Sequence, residues 1–201
     1  MSKIGIYGGT FSPPHLGHVR AAELFIRERA LTELHIVPAG IPPHKAEGAC
    51  VTAEDRLQMC RLAFSHLPAA QILDFEILRG GKSYTVLTLR EYAEKGIRPE
   101  LLLGTDMLLS FEKWYCFEEI FSLCTLVCIP REEDGRQNEA LFALAERFRC
   151  AYGADIAFLS GRAVEISSSE LRALLAAKRP SELLPHSVAT YIRERGLYRD
   201  L

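Results

Sequence analysis

Two histidines close an eleven-residue stretch, GGTFSPPHLGH (Gly8–His18), that also carries three glycines and two prolines. Gly8 and Gly9 remove side chains where a chain can turn and where a ligand can approach the backbone. Pro13 and Pro14 stiffen the segment, so that His15 and His18 are held in place. Two fixed imidazoles beside bare backbone suit one kind of chemistry, hydrogen bonding to phosphate oxygens. The stretch is not a Walker loop, since no GK[ST] follows, and it is not GxGxxG. A Gly/Pro turn with two incidental histidines is the plain alternative.

The elements that must position these residues alternate. Apolar runs rich in Ile, Val and Leu occur at Lys3–Gly8, Glu33–Pro38, Ala70–Phe75, Glu100–Gly104, Thr125–Pro130 and Asp155–Leu159. Helical spacing lies between or after them at Val19–Arg29, Thr52–Leu67, Ser83–Lys95, Asn138–Cys150, Ser168–Ala177 and His186–Arg195. Thr52 is a candidate N-cap with Asp55 three residues on. Strand then helix, repeated, predicts an α/β fold: a mostly parallel sheet flanked by helices on both faces, with a small C-terminal helical part. GGTFSPPHLGH then sits at the carboxyl end of the first strand, where such sheets gather ligands. The helix that follows adds unpaired N–H groups and a positive dipole end. Gly40–Cys50 and Arg131–Asn138 read as loops, and no linker divides the chain, so residues 1–201 read as one domain.

Composition narrows the function classes. Lys and Arg number 24 against 26 Asp and Glu, a net charge of −2 that gives no support to general nucleic-acid or membrane attraction. No apolar run approaches the roughly 18 residues of a membrane span, and Gly and Pro arrive too early for a signal-peptide core. Six cysteines form no CxxC; Cys124 and Cys128, an even spacing apart, read as packed thiols on one face of a buried strand. Reduced cysteines imply a cytoplasmic protein.

His15-Leu16-Gly17-His18 resembles the HxGH motif that the nucleotidylyltransferase superfamily carries after its first strand. Ile166-Ser167-Ser168-Ser169-Glu170-Leu171-Arg172, about 150 residues on, resembles that superfamily's ISSTxxR partner motif. More narrowly, the chain is similar to the bacterial nicotinate-mononucleotide adenylyltransferases along nearly its whole length: in IPPHK (Ile41–Lys45), SYT (Ser83–Thr85), GTDMLLSFEKWY (Gly104–Tyr115) and YIRERGLY (Tyr191–Tyr198). One residue departs: the family usually has Asp in GGTFDP, where this chain has Ser12, which keeps a short polar side chain without the charge.

The resemblance implies transfer of AMP from ATP to nicotinate mononucleotide, giving deamido-NAD and pyrophosphate, by direct in-line attack. It implies Mg²⁺ arriving with ATP, held by phosphate and water and by no protein side chain. His18, His15 and Arg172 are the implied catalytic residues. Gly8, Gly9, Thr10, Phe11, Gly104, Ser168 and Ser169 are the further implied ATP contacts. His44, Lys45, Thr85, Asp106, Trp114 and Tyr115 are those for the mononucleotide: Trp114 stacks on the pyridine, backbone N–H groups near Thr85 and Tyr115 take its carboxylate, and Asp106 accepts from a ribose hydroxyl.

Plainer readings stand beside these. Arg172 can be a solvated helix arginine, Ser168 and Ser169 ordinary caps, Trp114 core, and Asp106 an N-cap. His44 and Lys45 can be surface residues. His35, His66 and His186 have no motif around them and read as structural or surface groups. Nicotinamide mononucleotide or phosphopantetheine would be alternative acceptors on the same fold, and a nucleotide-binding regulator without turnover is a further class. The partners expected are the small-molecule substrates, with no nucleic acid or membrane; self-association is left open.

Overall fold

The computed structural model describes residues 2–41, 51–130, 135–161, 166, 168–177, 179 and 181–199. Its centre is a six-stranded, all-parallel sheet in the order β3-β2-β1-β4-β5-β6. The strands are β1 (Ile4–Gly9), β2 (Glu33–Pro38), β3 (Ala70–Ile72), β4 (Glu100–Gly104), β5 (Thr125–Ile129) and β6 (Ile156–Phe158). Each coincides with one of the six apolar runs. Strands buried on both faces need apolar side chains at every position, which is why the runs are continuous.

The helices are α1 (Leu16–Arg29), α2 (Ala53–Ala63), α3 (Phe75–Arg79), α4 (Thr85–Ala93), α5 (Thr105–Leu109), α6 (Phe117–Leu123), α7 (Gly135–Tyr152), α8 (Ser168–Ala176) and α9 (His186–Arg195). They form two layers. Leu34, Ile36, Leu102 and Val127 face a core built with α1, α2, α8 and α9. Ile6, Leu101, Leu103, Leu126 and Cys128 face one built with α4, α5, α6 and α7. Neighbouring residues of β4 and β5 thus enter opposite cores, the period of two expected of a strand. No helix among the described residues is long and apolar enough to cross a membrane.

The fold class is as expected, and the differences are local. β3 stops at Ile72 because only Ala70, Gln71 and Ile72 pair with β2, and Phe75 instead opens α3. α7 begins at Gly135, so the second of the two predicted loops is partly helix. Cys60, Cys124 and Cys128 are buried free thiols, but Cys116 and Cys150 are exposed; the first lies in a left-handed turn before α6, the second on the outer face of α7. Cys50 lies outside the described residues.

β1 pairs with β2 on one side and β4 on the other. The chain leaves β1 in one direction and returns to its opposite edge. This reversal opens a crevice beyond the carboxyl ends of β1 and β4, the place where such sheets bind ligands.

Candidate active site

At that crevice the histidine motif is the first turn of a helix rather than a loop before one. α1 begins at Leu16, with His15 as its N-cap and His18 at the third helical position. The two rings cap the turn reciprocally. His18 N–H donates to His15 Nδ1 (3.4 Å), and His15 N–H donates to His18 Nδ1 (3.2 Å). The rings stack with centroids 3.6 Å apart. An Nδ1 that accepts a backbone proton carries none itself, so in each neutral ring the hydrogen sits on Nε2, which is left to donate elsewhere. Burial lowers His15 to about 4 and pushes His18 well below its ordinary value, with His15 adding to the effect. At neutral pH the pair is therefore two uncharged, oriented N–H donors.

The preceding loop turns at Phe11, not at the glycines. Phe11 has φ 48°, whereas Gly8 and Gly9 are absent from the left-handed region. Those two glycines provide space: a Cβ on Gly9 would meet the Phe11 ring at 3.1 Å, and one on Gly8 would approach nothing nearer than 4.0 Å. Phe11 itself is 2% exposed and lies edge-on to His18 at 5.1 Å, so its ring supports the imidazole from the core.

Two cavities meet over Gly8, Gly9 and Thr10. The smaller, about 330 Å³, is bordered by Phe11, His15, His18, Gly104, Ile166 and Ser168. The larger, about 780 Å³, is bordered by Ser83, Thr85, Lys113, Trp114 and Tyr115. Arg172, in the second turn of α8, donates to the Ser12 carbonyl (2.9 Å) and to Ser169 Oγ (2.9 Å). That ties the late motif to the early one across 160 residues. Ser12 Oγ lies 3.1 Å from the Tyr198 hydroxyl. Ser12, Arg172 and the closing Tyr198 thus form one connected group.

In the larger cavity Trp114 is half-buried, packed on Phe111 with centroids 5.0 Å apart. Tyr115 is 55% exposed and meets Tyr84 at 4.8 Å. Thr85 is the first residue of α4, whose N-cap Tyr84 makes no side-chain capping bond. The helix therefore begins without a side-chain acceptor for its leading N–H groups. Asp106 borders neither cavity; it is exposed in the first turn of α5, where Gly104 holds the N-cap position. The capping expectation for Asp106 is thus off by two residues. Ser169 meets Arg172 rather than either cavity. His44 and Lys45 lie outside the described residues.

Two residues with a part in this architecture carried no motif, and a third, Tyr198, closed YIRERGLY without an assigned role. Arg56 donates to the Thr10 and Gly40 carbonyls. Glu76 accepts from Thr88 at 2.5 Å and borders the larger cavity. Tyr198 reaches Ser12. For Arg56 a signal existed: it shares the α2 face of the buried residues Met59, Cys60 and Ala63, an odd place for a cation. His35 is buried against Tyr92 (2.5 Å), while His66 and His186 are exposed, in line with structural or surface readings. Among the described residues no three His, Cys, Asp or Glu side chains converge as a metal site would require.

A doubly wound sheet with a histidine-capped helix at its switch point and two joined cavities defines a nucleotide-handling α/β protein. The chain belongs to the cytidylyltransferase-like family, whose model matches residues 6–174. It is 38% identical over 202 residues to a Dehalococcoides mccartyi protein named a probable nicotinate-nucleotide adenylyltransferase, covering 98% of this chain and 97% of that one. A Caldicellulosiruptor bescii protein of the same name is 33% identical over 198 residues, covering 98% and 99%. In fold, the chain is similar to Plasmodium falciparum nicotinic acid mononucleotide adenylyltransferase complexed with APC, with a TM-score of 0.74, 16% identity and 98% of each chain covered.

Proposed function

We propose that the protein transfers AMP from ATP to nicotinate mononucleotide, forming deamido-NAD and pyrophosphate in NAD biosynthesis. One observation carries this reading: two cavities of different chemistry open onto the same Gly8–Thr10 floor, one edged by paired imidazole donors and the other by Trp114 and the start of α4. Two phosphorylated substrates seated there meet over bare backbone.

A phosphate oxygen of the mononucleotide is already ionised, so its attack on the α-phosphorus of ATP needs no general base. The new P–O bond forms as the bond to the bridging α,β-oxygen breaks, and pyrophosphate leaves with that electron pair. The protein's task is alignment and stabilisation of charge on the equatorial oxygens. His18 and His15 serve this by their Nε2–H donors, oriented in advance by the reciprocal cap. Arg172, already held at Ser12 and Ser169, grips the departing phosphates, and Ser168 adds a hydroxyl at the start of α8. No side-chain cluster among the described residues would hold Mg²⁺; bound to ATP, it would supply further charge neutralisation.

On the acceptor side Trp114 stacks on the cationic pyridine. The first N–H groups of α4 at Thr85 and the backbone at Tyr115 receive the carboxylate. A donor-only site disfavours the amide, whose NH₂ would face another donor. His44 and Lys45 neutralise phosphate, and Asp106, in the first turn of α5, takes a ribose hydroxyl. The enzyme works in the cytoplasm.

The test is pyrophosphate release from ATP and Mg²⁺ with nicotinate mononucleotide, beside nicotinamide mononucleotide and phosphopantetheine. Release strongly favouring the acid is expected. Preference for either other acceptor overturns the acceptor site, and no release with all three, from protein that still binds ATP, overturns the reaction.

A further inference from the structure

Arg56 is 3% exposed, on the buried face of α2. Its guanidinium bridges two pieces of backbone: Nη1 donates to the Thr10 carbonyl and Nη2 to the Gly40 carbonyl, each at 2.9 Å. These carbonyls follow the carboxyl ends of the adjacent strands β1 and β2, and Thr10 borders both cavities. Among the described residues no carboxylate lies within ion-pair distance of Arg56. The neighbouring Asp55 is engaged elsewhere, with Thr52 (2.6 Å), Tyr191 (2.8 Å) and Arg195 (3.5 Å). Cys60 and Tyr198, the titratable groups that act on Arg56, are both pushed upward by burial and stay neutral at neutral pH.

A guanidinium remains charged even when buried. Buried charges are ordinarily paired with an opposite charge, and among the described residues only carbonyl dipoles hydrogen-bond to this one. The Thr10 carbonyl shares its peptide group with the Phe11 N–H, so the cation polarises that amide toward stronger donation. We propose that Arg56 is a positioning residue for adenylyl transfer, which rests on the reaction proposed above: it locks the Thr10 backbone that floors the two cavities by tying it to Gly40 beyond β2, and its charge, which no carboxylate among the described residues meets, is balanced by the phosphates of the bound substrates. The two roles separate by substitution. Lysine keeps the charge but, as a single point donor, does not hold both carbonyls; methionine fills the volume and keeps neither.

The experiment compares full-length wild type, Arg56→Lys and Arg56→Met in steady-state kinetics with ATP and nicotinate mononucleotide. The same proteins are melted with and without inorganic tripolyphosphate. Arg56→Lys is expected to lower kcat about tenfold, with KM for nicotinate mononucleotide changed by less than about threefold. Arg56→Met is expected to lower kcat about 100-fold and to shrink the rise in Tm given by tripolyphosphate. A folded variant with wild-type kcat, or a lowered Tm with kcat and the tripolyphosphate response both intact, overturns the proposal. If Arg56→Met does not fold, the Lys variant decides by the same kcat criterion. A wild type that releases no pyrophosphate from any acceptor overturns the reaction instead, and the tripolyphosphate response of wild type against Arg56→Met then decides for or against Arg56.

Discussion

The cavity beside the histidines and the one beside Trp114 share their floor but are held by different kinds of contact. In the smaller, the polar groups are fixed by directed hydrogen bonds: His15 and His18 by each other's backbone, Arg172 by Ser12 and Ser169, Ser12 by Tyr198. In the larger, Trp114 and Tyr115 rest on ring contacts with Phe111 and Tyr84, and Tyr115 is more than half exposed. Directed bonds permit one geometry, whereas ring contacts permit small slides at little cost. The difference matches the two tasks. Phosphoryl chemistry depends on angles and distances at one phosphorus, while recognition of a flat ring tolerates tilt.

The largest effect should come from the rigid side. His18→Ala removes one oriented donor and is expected to lower kcat about 10²–10³-fold. KM for the mononucleotide should change only slightly. Circular dichroism and Tm should stay near wild type, since the His15 cap remains. An equal rise in KM would erase the contrast between the cavities.

Acid should also strike the smaller cavity first. His15 titrates at about 4 in the folded protein against about 6.5 unfolded. The unfolded chain thus binds a proton that the native ring refuses as pH falls from 6.5 to 4, and stability drops across that window. For His15 alone the loss is on the order of 3 kcal/mol. Asp55, Glu28 and Glu100 have lowered values, so their contributions are full above the ordinary carboxylate range and fade only as pH falls below it. Urea titrations from pH 7.5 to 4.5 should show the decline. In His15→Asn, which keeps an N-cap acceptor, it should be clearly shallower. An unchanged slope would mean that His15 is protonated in the native state.

Much of this was legible in the sequence, for physical reasons. Six apolar runs marked six strands because a parallel sheet covered on both faces demands them. The long helices showed their period, and Thr52 did cap α2. α3, α5 and α6 span five to seven residues, too few turns for a 3.6-residue pattern to emerge. The motif residues around Gly8–His18 and Thr85–Tyr115 were brought to one crevice. The N-cap reading of Asp106 failed because Gly104 caps α5 with no side chain at all. Arg56 escaped notice, and Tyr198 received no role within YIRERGLY, because their meaning lies in partners 46 and 186 residues away.

Trp114→Ala tests the softer side and should have a smaller consequence. Loss of a stacked ring is expected to raise KM for the mononucleotide about tenfold or somewhat more, with kcat within a few-fold of wild type. Isothermal titration with nicotinate mononucleotide should show the same loss. Unchanged affinity would make Trp114 a core residue that merely borders the cavity.

The smallest effect concerns how the closing segment steadies the rigid side. Tyr198 is buried, with its hydroxyl 3.1 Å from Ser12 Oγ, and the Ser12 carbonyl takes the Arg172 guanidinium. Tyr198→Phe keeps the ring and removes one neutral hydrogen bond, a loss of about 1 kcal/mol. In a chain of this size that lowers Tm by roughly 2–4 °C. Ser12→Ala removes the same bond from its other end. If the hydroxyl pair is what links the C-terminal turn to the loop, the double variant should cost no more than the larger single one, since either change already breaks the link. Additive losses would show that Ser12 and Tyr198 act through different neighbours, and the late helices would then steady the loop through Arg172 alone.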